Sequence, residues 1–214
     1  MDVITVTGMV LQARPIGEYD NRIVLLTRER GKISAFAKGA KRPKSRLSAG
    51  GPFTYGQFEM REGASSYAVY GAEVENYFEK LRSDVEGAYY GFYCLEIADY
   101  FGRENNDEWE MLKLLYTTVR ALERGACDRE LIRCIYELRT LSVNGFAPDL
   151  ERIKAGRVAK YTMQYAMESP YKSLYAVKVE EETIREIRAV NDKLLADVID
   201  RPIKSGEMLG LITR

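Results

Sequence analysis

Eight of the nineteen residues from Arg28 to Arg46 are lysine or arginine, against one acid, Glu29. The run reads RERGKISAFAKGAKRPKSR, in a chain of 214 residues whose formal net charge is zero. A neutral chain that gathers its cations this way has a charged face as well as a charged composition. Such a face neutralises phosphates and releases their counterions, which is the electrostatic footprint of a nucleic-acid binder. Residues 1–50 hold ten basic and four acidic residues; residues 59–110 hold four basic and thirteen acidic ones. The plainer reading is a solvated basic loop offset by acidic helices.

Within the run, two patterns carry chemistry. Lys32, Ser34, Phe36 and Lys38 alternate with Ile33, Ala35 and Ala37, so one strand face would carry a ring between two ammonium groups. Cations track phosphates there, and a ring stacks a base without reading its identity. The competing reading packs Phe36 inward. Lys38, Lys41, Arg42, Lys44 and Arg46 form the second pattern. Gly39 and Pro43 keep their segment out of regular structure, so the cations can follow a flexible backbone. Arg28 and Arg30 flank both. Farther on, Arg120, Arg124, Arg129, Arg133 and Arg139 stand at helical positions. Beside an apolar groove, Arg120, Arg124 and Arg133 could receive an acidic, hydrophobic-tipped peptide; i,i+4 pairing with the many glutamates is the favoured reading.

What is missing narrows the classes. The chain has no histidine, which removes Ser-His-Asp and Cys-His catalysis and histidine metal sites. Cys94, Cys127 and Cys134 are scattered without a CxxC pair and read as free thiols of a reducing compartment. Neither GxxxxGK[ST] nor GxGxxG occurs, so nucleotide hydrolysis has no support. No apolar stretch approaches about 18 residues, so no transmembrane helix is expected. The opening MDVITVTGMV starts with an acid and alternates, and no signal peptide is expected.

The elements that must position these residues change character along the chain. Segments 3–12, 21–27, 32–38, 55–61 and 66–74 read as strands, with Gly31 in a hairpin connection. Five short strands with a long central loop predict a small closed barrel. An OB-fold is the natural candidate, although strand count alone does not separate it from an SH3-like barrel. Helical periodicity takes over next. Ser83–Glu86 reads as a capping box opening a helix through about Phe101. A second helix runs from about Asp107 to Gly125. A third is capped by Asp128 and ends by Gly145. Thr183–Glu186 reads as another capping box, for a helix to about Ile199, and a short helix follows Ser205. Segment 150–180 is ambiguous. The predicted class is α+β multidomain: an OB-fold barrel over 1–80 and an all-helical domain over 81–214.

The segment Asn21–Tyr55, NRIVLLTRERGKISAFAKGAKRPKSRLSAGGPFTY, resembles the N-terminal signature of the bacterial recombination mediator family called RecO. Weaker echoes are Gly145-Phe146-Ala147-Pro148-Asp149-Leu150 and Pro202-Ile203-Lys204-Ser205. The resemblance implies a cytoplasmic, nucleoid-associated DNA-repair protein without catalysis or cofactor. It implies binding of single- and double-stranded DNA and annealing of complementary strands. It also implies a partner, RecR, and loading of recombinase onto DNA coated by single-strand-binding protein, whose acidic C-terminal tail would bind the helical domain. Lys38, Lys41, Arg42, Lys44 and Arg46 fall on the family's basic region by motif position. One departure stands out. Many members carry four zinc-binding cysteines after the Gly-x-x-Pro-x-Leu segment, whereas here Leu150 is followed by ERIKAGRVAKYTMQYAMESPYK. No zinc is expected, and apolar packing of the Tyr/Met-rich segment 161–175 would replace it. The alternatives are an OB-fold RNA- or tRNA-binding module, a carboxylate-dependent enzyme, and a scaffold whose loop meets an acidic protein.

Overall fold

Alternation with a period of two buries one face of each early strand, and a barrel is the closed solution for five of them. In the computed structural model, which describes residues 3–40, 51–63 and 66–212, these are β1 (Val3–Ile16), β2 (Asp20–Thr27), β3 (Gly31–Ala37), β4 (Tyr55–Glu62) and β5 (Tyr67–Asn76). They close in the order β1-β2-β3-β5-β4, and β3 and β5 are the parallel pair. This order is that of an OB-fold and settles the choice that strand count left open. β1 is longer than its sequence pattern indicates because it serves two neighbours: residues 3–9 pair with β4 and residues 8–16 with β2. Gly8 lies in the overlap, where an added Cβ would stand 2.5 Å from the Leu26 carbonyl oxygen. The interior is filled by side chains such as Val10, Leu25, Ile33, Phe58 and Met60.

The β2–β3 connection shows why Gly31 is glycine. Its φ is 64°, in the left-handed region that residues with a Cβ avoid. The Thr27 hydroxyl donates to the Gly31 carbonyl oxygen at 2.8 Å and accepts from the Arg30 amide at 3.1 Å. Segment 103–106 then runs along this turn. The Lys32 amide donates to the Arg103 carbonyl oxygen at 2.8 Å, and the Asn105 amide to that of Arg30 at 3.0 Å. A Cβ on Gly31 would collide with the Arg103 carbonyl oxygen and stand 2.9 Å from that of Asn106. Gly31→Ala is therefore expected to cost about 2 kcal/mol or more, read as a lower urea midpoint. An unchanged midpoint would mean that segment 103–106 does not sit on this turn.

Among the described residues seven helices follow: α1 (Glu79–Ser83), α2 (Val85–Phe101), α3 (Trp109–Arg124), α4 (Arg129–Val143), α5 (Arg157–Glu168), α6 (Glu181–Val198) and α7 (Lys204–Ile212). Asp128 caps α4 as its sequence indicates, its carboxylate accepting from the Glu130 and Leu131 amides at 2.8 and 3.1 Å. The two capping boxes are corrected. Ser83 ends α1, donating to the Lys80 carbonyl oxygen, and Asp84 caps α2 by accepting from the Gly87 amide at 3.1 Å. α6 begins two residues before Thr183, and Glu186 instead accepts from the Gly156 amide at the start of α5, at 2.6 Å. The ambiguous segment 150–180 contains α5. Met163, Leu174 and Tyr175 are buried there, while Tyr161 faces out.

The chain forms two compact units. One comprises residues 1–79 with 95–116, so the barrel is joined by parts of α2 and α3. The other comprises 80–94 with 117–214, in which α4 packs against α5 and α6.

Candidate nucleic-acid interface

Strand register determines which outward side chains become neighbours. On the barrel, Arg14 stands opposite Arg22, Arg22 opposite Phe36, and Phe36 opposite Ala68. Adjacent strands lie about 4.8 Å apart, so these positions form one row across the outside of four strands. Arg14 and Arg22 are exposed and Phe36 is half-buried. Phe36 therefore faces outward with Lys32 and Ser34, while Ile33, Ala35 and Ala37 point inward, as the alternation predicts. Arg22 Nε donates to Ser34 Oγ at 2.8 Å, and Arg14 Nη2 to Gln12 Oε1 at 3.3 Å. Tyr70, two residues past Ala68 on the same side of β5, is 46 % exposed.

The basic run itself is divided. Arg28 and Arg30 sit at the turn end of the β2–β3 hairpin, whereas Phe36 and Lys38 sit at its open end. The six steps from Gly31 to Ala37 separate the ends by roughly 20 Å. Between them, Lys32 is committed within its own unit: its Nζ donates to the Asp99 carbonyl oxygen at 2.5 Å and lies 3.4 Å from the Asp99 carboxylate. Arg28 lies over the Trp109 ring at 4.8 Å, and Lys113 lies 5.5 Å from the same ring. Arg28, Glu29, Asn105, Asn106, Asp107 and Trp109 line a cleft of about 390 Å³ there. Arg30 is half-buried beside it. Lys38 is exposed. Lys41, Arg42, Lys44 and Arg46 lie outside the described residues.

In the helical unit the arginines divide as well. Arg124 is exposed and Arg120 half-buried on α3. Arg133 is only 6 % exposed. Its Nε donates to Glu137 at 2.8 Å and its guanidinium lies 4.4 Å from the Tyr93 ring centre. Arg129 pairs with Asp84 and Glu86, and Arg139 donates to the Met167 carbonyl oxygen. Arg133 thus follows the glutamate-pairing alternative, and it offers a peptide no free guanidinium face. Burial pushes the Cys94 and Cys134 thiols well up and that of Cys127 up to about 11, so none supplies a thiolate at neutral pH.

Arg14, Arg22 and Tyr70 escape a reading of the sequence. Arg22 sits inside an apolar run, and Arg14 and Tyr70 are remote from the basic segment. The period-two pattern signals that Arg14 and Arg22 face out, but only pairing register reveals that they share a row with Phe36, with Tyr70 two residues beyond its end.

Residues 1–78 match the family model described as Recombination protein O N terminal, and residues 82–155 match Recombination protein O C terminal. The first match covers the five strands and the second begins in α1. Among curated proteins, the DNA repair protein RecO of Alkaliphilus metalliredigens is 36 % identical over 149 residues, which is 69 % of this chain and 61 % of that protein. That of Bacillus subtilis is 33 % identical over 67 % of this chain and 56 % of its own length. That of Acetivibrio thermocellus is 25 % identical over 94 % of both chains. The chain thus spans about three fifths of the length of the first of these relatives. Among the described residues, no helix is long and apolar enough to cross a membrane.

Proposed function

The chain belongs to the recombination protein O family, and from that premise we propose that it acts in DNA repair as a non-catalytic mediator in the bacterial cytoplasm. It binds single- and double-stranded DNA through the outer face of the barrel and anneals complementary strands. With RecR it helps load recombinase onto DNA coated by single-strand-binding protein. The observation that supports this most is that Phe36 faces outward near the end of β3 and Lys38 is exposed just after it, shortly before the cations Lys41, Arg42, Lys44 and Arg46 in sequence.

Annealing without a nucleotide cofactor needs two conditions. Cations must screen the repulsion between two phosphate backbones, and bound bases must stay available for pairing. Backbone contacts by lysine and arginine meet both, because they carry no sequence information and leave most base edges free. In the helical unit, Arg120 and Arg124 are the residues proposed to meet the acidic tail of single-strand-binding protein. A strand-annealing assay with bare and coated complementary strands tests the proposal. Faster annealing without nucleotide, persisting on coated strands, is the expected result; rates equal to those of the strands alone would overturn it.

The residues that follow Leu150 do not fit a cysteine zinc site, since segment 151–172 holds neither cysteine nor histidine. Burial of Ala159, Met163, Ala166 and Leu174 supplies the packing there instead. Purified protein is expected to carry no stoichiometric zinc, and EDTA to leave the melting midpoint unchanged. Stoichiometric zinc by elemental analysis, or a midpoint lowered by EDTA, would contradict this.

A further inference from the structure

We infer that Arg14, Arg22, Phe36 and Tyr70 form a subsite for unpaired nucleotides, in which the two guanidiniums grip the backbone and the two rings stack bases. This deepens the DNA-binding proposal and rests on it.

The barrel carries a charge pairing that the fold does not need. Arg14 and Arg22 stand directly opposite each other on antiparallel strands. Like charges at opposed positions disfavour the sheet, and a carboxylate at either position would favour it. Neither arginine has an ion pair among the described residues. Each is oriented by a neutral group, Gln12 or Ser34, so both positive charges remain available. Two adjacent planar guanidiniums match the oxygens of one phosphate.

Aromatic side chains accompany the two arginines. Phe36 is next in the row after Arg22, and Ala68 beside it is too small to cover its ring. Tyr70 follows two residues past Ala68 on β5, at the point where β5 bulges against β4, and is exposed. A half-buried outward ring and an exposed one beside cations can form a stacking platform for single strands. A duplex keeps its bases inside its own stack and offers this surface only phosphates. The row therefore discriminates by strand state. It also leaves annealing possible, because two rings engage two bases while flanking bases stay free to pair.

The occupant is a polynucleotide and not an acidic peptide, because Phe36 is followed directly in sequence by the charge run from Lys38 to Arg46. A tracked backbone needs such a continuation.

The test uses the full chain with a labelled oligothymidine and, separately, a labelled duplex. Joint replacement of Phe36→Leu and Tyr70→Leu is expected to weaken oligothymidine binding by about tenfold or more. Duplex affinity should change less than about twofold, and the salt slope should hold. Phe36→Trp with Tyr70→Trp should restore single-strand affinity, which guards against a folding defect. Arg14→Gln with Arg22→Gln should lower the slope of log affinity on log salt by about 0.7 for the single strand, one phosphate contact's worth. Equal losses on both DNAs, or no loss on either while the unaltered protein binds both, would overturn the subsite alone. No binding of either DNA by the unaltered protein would overturn the DNA-binding proposal together with it.

Discussion

Replacing Lys41, Arg42 and Lys44 together with alanine is expected to weaken binding to every DNA sequence tested and to flatten its salt dependence. Each lost phosphate contact removes about 0.9 from the slope of log affinity on log salt for duplex DNA and about 0.7 for single strands, so three contacts remove roughly 2.7 and 2.1. The loss should be uniform across sequences, because backbone contacts position a nucleic acid without reading it. Titrations at several salt concentrations give the slope directly. A variant that binds more weakly but keeps the unaltered slope would show that these cations do not meet phosphates.

The largest expected effect on stability lies in the helical unit. Glu137 is fully buried on α4. It accepts from the Tyr93 hydroxyl at 2.6 Å, Arg133 Nε at 2.8 Å and Asn191 Nδ2 at 2.9 Å. One carboxylate thus ties together side chains of α2, α4 and α6. Glu137→Ala removes the close partner of a guanidinium that is itself nearly buried, and strands a hydroxyl and an amide. Breaking such a pair from one side costs about 3–5 kcal/mol, against a total stability of about 5–15 kcal/mol for an ordinary domain. Urea unfolding measures the cost. The double variant Arg133→Met with Glu137→Met should recover part of it, since no buried charge is then left alone. A single-variant cost below about 1 kcal/mol, the range of an exposed pair, would contradict the burial of this network.

Local physics made much of the fold legible. The alternation of Ile33, Ala35 and Ala37 against Lys32, Ser34 and Phe36 specified both the strand and its outward face. Gly31 marked the turn because only a residue without a Cβ fits there. The stripes Tyr90–Cys94–Ile97–Phe101 and Leu131–Ile135–Leu138 are all buried. Features that depend on residues far apart in the chain were hidden. Asp84 and Ser83 are both good capping residues, and only the break between α1 and α2 selects Asp84. α4 presented Arg133 as the polar side of an amphipathic helix. Packing from several directions instead buries every residue from Leu131 to Leu138, and the arginine enters with its own counterion.

The site was legible in part for the same reason. Adjacency in sequence gathered Arg28, Arg30, Lys32 and Lys38 into one run, yet a strand holds its two ends roughly 20 Å apart. Asp99, more than sixty residues downstream, neutralises the lysine between them. Register meanwhile lines up Arg14 and Arg22 with Phe36 across two other strands, and Tyr70 lies two residues past the row on β5. No spacing rule along a single sequence contains that information.

Hydrogen–deuterium exchange of the intact protein, with and without an unpaired oligonucleotide, tests most directly whether DNA is held on the barrel. Slowed exchange in peptides spanning β2, β3 and residues 38–55, with little change over 117–212, is the expected result. Protection confined to 117–212, or no protection at concentrations that saturate binding, would contradict it.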